Sequence, residues 1–428
     1  RTLSRTLSGR GCLRTCLAKF MDSTHWLKSE GGARRSGNTQ STLKTILGGL
    51  ASKTLTLATP LLWFRRVNSR QFPWRPLLPV PAPGSNERCI LPLFTLLLAA
   101  VLISCIARRP RLSATALLAL LLCWASLARA GLAIALNSAD GTISLIDTET
   151  YQVTGKVAVC KEPHHLMPTP DDQSVIIACA AANQLVFFDP LTGREQKRLR
   201  NISDPYQLGF SPDRKWFVAT SLRLDRVDLY DPQDFQLKAR LPAPRTPSHM
   251  AFDNASEFVF VTLQESNEVM AIHLGTQRIA WVMPVTTTPA GIAMAPDNRH
   301  LLVAGMGEGV VEVIDWRFQQ SVKKIPADTA THNLQPKGDG RHFFVSNRSV
   351  NGSISVLDTK TMTIVDKFEL PGGPDDMMVR ADGKELWATA RFARRVQVVD
   401  LATRQLKASI PVGSSPHGVF FLKHAGLR

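Results

Sequence analysis

The chain has 428 residues, 44% hydrophobic and 20% charged, which is the composition of a globular protein, and its formal net charge is +16. That charge sits at one end: residues 1–130 hold 19 Lys and Arg against 3 Asp and Glu, while residues 131–428 hold 32 of each. The larger part therefore has no electrostatic footprint for nucleic acid, and no nucleic-acid partner is expected.

Residues 1–88 are rich in Arg, Ser, Thr, Leu and Pro, with five prolines between Gln71 and Asn86, and show no sustained helical or strand period. No foldable core is legible there, so residues 1–107 are expected to be disordered or missing from the mature protein. Two apolar runs follow, residues 89–107 and 113–128. The second is preceded by Arg108, Arg109 and Arg111 and followed by Ala128-Arg129-Ala130. A positive flank, a short apolar stretch and an A-x-A site are the three parts of a secretory signal, which predicts a signal peptide over 108–130 and a periplasmic or secreted product. Without cleavage, the two runs would form a membrane anchor, the one membrane contact the sequence offers. Five of the seven cysteines precede residue 131; Cys160 and Cys179 remain, either paired in an oxidising compartment or buried as free thiols.

From residue 131 onward the sequence repeats. Short β-type runs end at Asp147, Asp189, Asp231, His273, Asp315, Asp358 and Asp400, at intervals of 42, 42, 42, 42, 43 and 42 residues. The same step carries Pro163, Pro205, Pro247, Pro289, Thr331, Pro374 and Pro416, each with an apolar residue three positions on. A third series is Ile134, Ile176, Val218, Phe260, Leu302, Phe344 and Trp387, and a fourth runs from Val157 to Ile410. Turn signals such as Pro212-Asp213 and Gly338-Asp339-Gly340 separate them. Each unit thus holds four short strands, A to D, rich in β-branched and aromatic residues. One four-stranded sheet of this size cannot cover both faces, but sheets stacked round an axis cover one another and leave only short edges.

The phase at the ends predicts closure. The repeat opens on strand B at Leu132 and closes on a strand A over Gly418–Lys423. The expected fold is therefore all-β: a seven-bladed β-propeller of four-stranded antiparallel blades over 131–428, closed by a blade shared between the two ends.

The units Ser414-Ser415-Pro416-His417-Gly418-Val419, Ala381-Asp382-Gly383-Lys384-Glu385-Leu386 and Ser353-Ile354-Ser355-Val356-Leu357-Asp358-Thr359 resemble the YVTN-type (YncE-like) bacterial propeller family over nearly all of 131–428. The resemblance implies a periplasmic seven-bladed propeller. The sequence is more distantly similar to the haem-binding propeller of periplasmic nitrite reductases. His273 replaces the family's usual Asp and Thr331 its usual Pro. Fold does not fix activity.

No phosphate-binding loop, dinucleotide fingerprint, nucleophile elbow or zinc-protease motif occurs in 131–428, and no C-x-x-C-H motif for covalent haem. A candidate site comes from superposing the repeats. The residue after each Pro or Thr331 forms a ring near one channel mouth: His417, His164, Tyr206, Ser248, Ala290, His332 and Asp375. The next position reads His165, Gln207, His249, Gly291, Asn333, Asp376 and Gly418. Five of the nine histidines after residue 130 fall in these two rings. The candidate ligand-binding residues are therefore His164, His165, Tyr206, His249, His332, Asp375 and His417, with His164, His332, Asp375 and His417 as candidate metal ligands.

Strand-opening polar residues that merely face channel water are the plainer expectation. The strand-C Asp residues are expected to accept hydrogen bonds from the following turns. Arg391, Arg394 and Arg395 in one B–C loop, and Arg223 and Arg226 in another, are expected to be solvated. Trp216, Trp281, Trp316 and Trp387 are expected to pack between blades. A non-catalytic binding or scaffold protein is the favoured function, with an unidentified protein or small molecule as partner and the chain a monomer. No cofactor is required by the sequence, though haem or a metal is possible. The alternatives are a haem- or metal-binding redox propeller and a lactonase-like hydrolase built on Asp375, Asp376 and His417.

Overall fold

The computed structural model describes residues 131–426; the expected disordered segment 1–107 and signal peptide 108–130 lie outside them. The described residues form seven four-stranded antiparallel sheets, each with its strands in A-B-C-D order. Strand B of the first blade is Leu132–Asn137, C is Thr142–Asp147 and D is Val153–Ala158. Its strand A comes from the other end of the chain, Pro416–Phe421, with Ala133 opposite Phe421 and Ile134 opposite Phe420. The closing strand therefore runs two residues earlier at both ends than the expected Gly418–Lys423. The remaining A strands are Pro163–Pro168, Leu208–Phe210, Pro247–Phe252, Pro289–Met294, Thr331–Pro336 and Pro374–Val379.

The repeat series map directly onto packing. Ile134, Ile176, Val218, Phe260, Leu302, Phe344 and Trp387, the centres of the seven B strands, are each 0% exposed. Strand B is covered on both faces by neighbouring sheets, so its side chains are apolar in succession rather than in alternation. Blades interlock through shared clusters: Val419 and Phe420 of the first blade pack with Trp387 and Met378 of the last and with Val175 and Ile177 of the second. Trp387 also meets Tyr151 and Phe421 across blade boundaries, at ring-centroid distances of 5.8 and 5.4 Å, and Trp316 reaches Phe258 and Phe260 of the preceding blade. Strand D is the outer edge, largely exposed and carrying charge, as in Glu195–Arg200; charged edges discourage sheet-to-sheet association.

The strand-C aspartates end their strands as expected. Asp147 Oδ1 accepts the N–H groups of Glu149 and Thr150 at 2.9 and 2.8 Å, and Asp400 does the same for Ala402 and Thr403. His273 substitutes chemically, its Nδ1 accepting the Thr276 N–H at 3.1 Å. Thr331 compensates for its missing proline by donating its hydroxyl to Asp328 O at 2.7 Å.

Cys160 and Cys179 are joined in a disulfide with their Cα atoms 6.0 Å apart. The bridge spans the start of strand A in the second blade, where Pro163 lies opposite Cys179. It ties down the short segment that carries His164 and His165. Among the described residues no helix is long and apolar enough to cross a membrane.

Candidate functional site

All seven sequence-identified residues converge on the propeller axis. Six of the seven A strands share one irregularity, a register shift close to their start, such as that between Pro163 and Leu166 or between Pro374 and Met377. A bulge re-aims side chains. Adjacent residues that a regular strand would send to opposite faces then both reach the axis, so the His164 and His165 rings lie 5.0 Å apart. Glycine at the second ring position lets neighbours close in: a Cβ on Gly291 would sit 2.6 Å from His332 O and 2.9 Å from Asn333 Cα.

The result is a plug of aromatic rings, not a row of residues facing channel water. His164, His165, His249, His332 and His417 are each at most 8% exposed. His164 meets His417 at 3.9 Å and Tyr206 at 4.2 Å, with the rings tilted by 49° and 35°. His165 meets His249 at 5.2 Å and His417 at 4.7 Å, and His249 meets His332 at 5.5 Å.

The metal candidates divide into two groups. Asp375, 0% exposed, takes His332 for itself: His332 Nδ1 lies 2.9 Å from Asp375 Oδ1. Arg391 Nη1 donates to Asp375 at 3.0 Å and Arg348 Nη1 at 3.3 Å, while His417 Nε2 lies 3.7 Å away. Asp375 and His332 are thus committed to an ion-paired knot. The ring nitrogens of His164, His165 and His417 instead converge, all within 4.8 Å of one another. His165, which superposing the first ring alone would omit, replaces His332 and Asp375 in that set.

Arg348 was not singled out by the sequence, and Arg391 was expected to be solvated. Each directly follows a strand B, and they are one repeat apart, which is the signal that places both above the same axis. The other loop arginines are not part of the site: Arg223 pairs with Asp204 and Glu162, and Arg395 with Ser409.

Burial dominates the electrostatics. It holds His164, His165 and His417 well below the ordinary imidazole range; Asp375 opposes this, and for His164 and His417 the Arg391 guanidinium adds to it. His249 is pushed down to about 3 by burial and by His332. Asp375 behaves oppositely: burial pushes its carboxyl up, but Arg348, His332 and His417 together hold it well below the usual range. Asp376, half-buried beside Asp375, is raised to about 7 by partial burial and by the neighbouring Asp375 charge. The site is therefore a set of neutral imidazoles beside one fixed carboxylate.

Apart from His332 Nδ1, which lies against Asp375 at 2.9 Å without hydrogen-bond geometry, four of these imidazoles keep a buried ring nitrogen with no hydrogen-bond partner: His164 Nδ1, His165 Nε2, His249 Nε2 and His417 Nδ1. The second nitrogen of His249 is held, Nδ1 lying 2.7 Å from Ser248 Oγ, which in turn accepts from Gln264 Nε2 at 2.6 Å. On one side the plug forms the floor of a funnel of about 1070 Å³, where His165, Gln207, His249, Asn333 and Asp376 meet walls that include Phe210, Met250 and Phe252.

Neutral buried histidines make folding acid-sensitive. Between pH 6.5 and about 3 the unfolded chain binds a proton at His249 that the folded one refuses. Stability is therefore complete above 6.5 and falls with decreasing pH, by about 1.4 kcal/mol per pH unit for this residue. Urea unfolding of metal-free protein between pH 7.5 and 5 is expected to show a fall in stability below pH 6.5 summed over the buried histidines, and His249→Gln to reduce that slope by this residue's share. A variant with an unchanged slope would contradict the assignment.

A family model described as YNCE-like beta-propeller matches residues 93–427. Protein NirF of Pseudomonas aeruginosa is 20% identical over 320 residues, covering 69% of this chain and 81% of that protein. Among solved structures, a protein of unknown function from Desulfotomaculum acetoxidans covers 68% of this chain and 98% of its own, at 13% identity and a TM-score of 0.60. The dihydro-heme d1 dehydrogenase NirN in complex with DHE matches at 15% identity and a TM-score of 0.53, covering 68% of this chain and 75% of that one. A protein from Bacteroides uniformis provisionally assigned as a 6-phosphogluconolactonase matches at 17% identity and a TM-score of 0.56, covering 68% of this chain and 99% of its own. At these identities the structural likenesses establish the fold alone.

Proposed function

Because the chain belongs to the YNCE-like β-propeller family, we propose that it is a secreted periplasmic binding protein, not a catalyst, whose ligand rests on the imidazole plug at the floor of the axial funnel. One observation carries this: four neutral, buried imidazoles present unpartnered ring nitrogens at or beside that floor. An unsatisfied buried polar atom costs about 1–3 kcal/mol, and a ligand that accepts imidazole lone pairs or N–H donation would offset that cost. Export is supported by the signal-like sequence before residue 131 and by the Cys160–Cys179 disulfide, which suits an oxidising compartment.

The ligand class follows from the donors. Neutral imidazole favours a transition metal or a metal-bearing group over an organic anion. A haem-type tetrapyrrole is the second reading, favoured by the structural neighbour named dihydro-heme d1 dehydrogenase NirN. The funnel volume is ample for such a group. The spacing of His164, His165 and His417 leaves no room for a macrocycle among them, so it would lie in the funnel with His165 or His249 below it, and its metal would supply the redox chemistry. A lactonase needs a free base. Asp375 is locked by two arginines, which leaves only Asp376, held by Asn333 Nδ2 at 3.3 Å.

Native mass spectrometry and the visible spectrum of the protein released from the periplasm test the proposal. A mass above that of the chain, or a shifted haemin band on titration, is expected for the wild type and lost in the His165→Ala, His249→Ala double variant. A wild type with the bare chain mass and no response to haemin or to metal ions would overturn it. Hydrolysis of a sugar lactone that disappears in Asp376→Asn would replace it with the enzymatic reading.

A further inference from the structure

We infer that His164, His165 and His417 form a mononuclear site for a late first-row transition-metal ion, built between the closing strand of the first blade and the inner strand of the second. This rests on the axial plug being the ligand site and says which part of it takes a free ion.

The three side chains come from adjacent blades. His164 and His165 stand on the strand stapled by the Cys160–Cys179 disulfide, and His417 on the closing strand. Their ring nitrogens lie within 4.8 Å of one another, and each ring has an unpartnered buried nitrogen: Nδ1 of His164, Nε2 of His165 and Nδ1 of His417. A metal–imidazole bond is about 2.0–2.1 Å, so tetrahedral ligands around one ion stand about 3.4 Å apart. Bringing this trio to that spacing takes side-chain shifts of up to about 1 Å per ring.

One buried carboxylate lies behind this point. Asp375, 3.7 Å from His417 Nε2, faces the side of the ring away from the unpartnered Nδ1. Its negative charge on that side favours hydrogen on Nε2 and the lone pair on Nδ1, although 3.7 Å is too long for a direct hydrogen bond. Arg348 and Arg391 sit on Asp375 and offset its charge, so an ion here is held by the neutral nitrogen donors themselves. Three nitrogen donors with no carboxylate among them suit zinc, cobalt, nickel or copper and not calcium or magnesium. Three protein ligands leave a position open toward an exogenous group, the arrangement of reactive rather than purely structural zinc sites.

The full-length chain, stripped with chelator, is titrated with Co²⁺ and read by its visible bands. Metal stoichiometry is then measured with Zn²⁺ by mass spectrometry. One ion per chain is expected, with affinity falling at least 100-fold in His165→Asn and in His417→Asn and unchanged in the surface variant His300→Ala. X-ray absorption of the Zn²⁺-loaded wild type should show imidazole nitrogen neighbours, a reading that stands even where a variant fails to fold. An oxygen-only shell, no uptake, or uptake that survives both substitutions overturns the site. A wild type that binds haemin but neither Co²⁺ nor Zn²⁺ removes this site and leaves the broader reading in place; one that binds none of them removes both.

Discussion

Deleting residues 416–428 is expected to abolish cooperative folding. The deletion removes the innermost strand of the shared blade, and with it Val419, Phe420 and Phe421, which are 0, 1 and 3% exposed. Burying side chains of this kind contributes about 1.5–3 kcal/mol each, so their loss alone approaches the whole margin of about 5–15 kcal/mol by which a domain is stable. It also strips the pairing from Ala133, Ile134 and Ala135 and opens the cluster shared by three blades. The truncated protein should show no sigmoidal urea transition by tryptophan fluorescence. A circular permutant that joins the two propeller ends through a short linker and opens the exposed loop between Pro244 and Arg245 keeps every strand and should unfold like the wild type. A truncated chain with a near-wild-type midpoint would show that ring closure contributes little.

Asp375→Asn is expected to cost about 3 kcal/mol at neutral pH, because removing one partner of a buried ion pair leaves the others uncompensated. Four donors aim at this carboxylate: Arg348, Arg391, His332 and, more loosely, His417. Asparagine offers one acceptor oxygen and turns an N–H₂ group toward the rest. The partial exposure of the two arginines keeps the loss at the low end of the range for such pairs. The sign with pH is fixed by the depressed carboxyl: its contribution is complete above the ordinary aspartate value of about 3.9 and is lost only as the pH falls further. Urea denaturation of both proteins at pH 7.5 checks this. A difference below about 0.5 kcal/mol would be that of an ordinary surface substitution and would mean the arginines find water as good a partner.

Much of this was legible in the sequence because a propeller is a periodic object. Residues at equal phase in a 42-residue repeat must occupy equal places, so the strand series, the blade count and the two rings of polar residues could be read without coordinates. The phase of Leu132 and Pro416 even determined which blade is shared. The same logic would have placed Arg348 beside Arg391, had the position after strand B been superposed as the position after the proline was.

What the repeat could not supply is what breaks it. Whether neighbouring residues both face the axis depends on the register shift at the start of each A strand, a property of strand pairing that leaves no mark on side-chain alternation. Which histidine pairs with Asp375 and which three converge depends on distances of a few ångströms between rings, set by the packing of whole blades. Whether Cys160 and Cys179 meet was equally open, since two cysteines 19 residues apart can lie close or far according to how the intervening strand runs. The sequence by itself determined the sheets, their number and their circular order, because those follow from periodic burial. Only the tertiary structure decided the chemistry at the axis, because there seven chain segments that are distant in sequence compete for the same few ångströms.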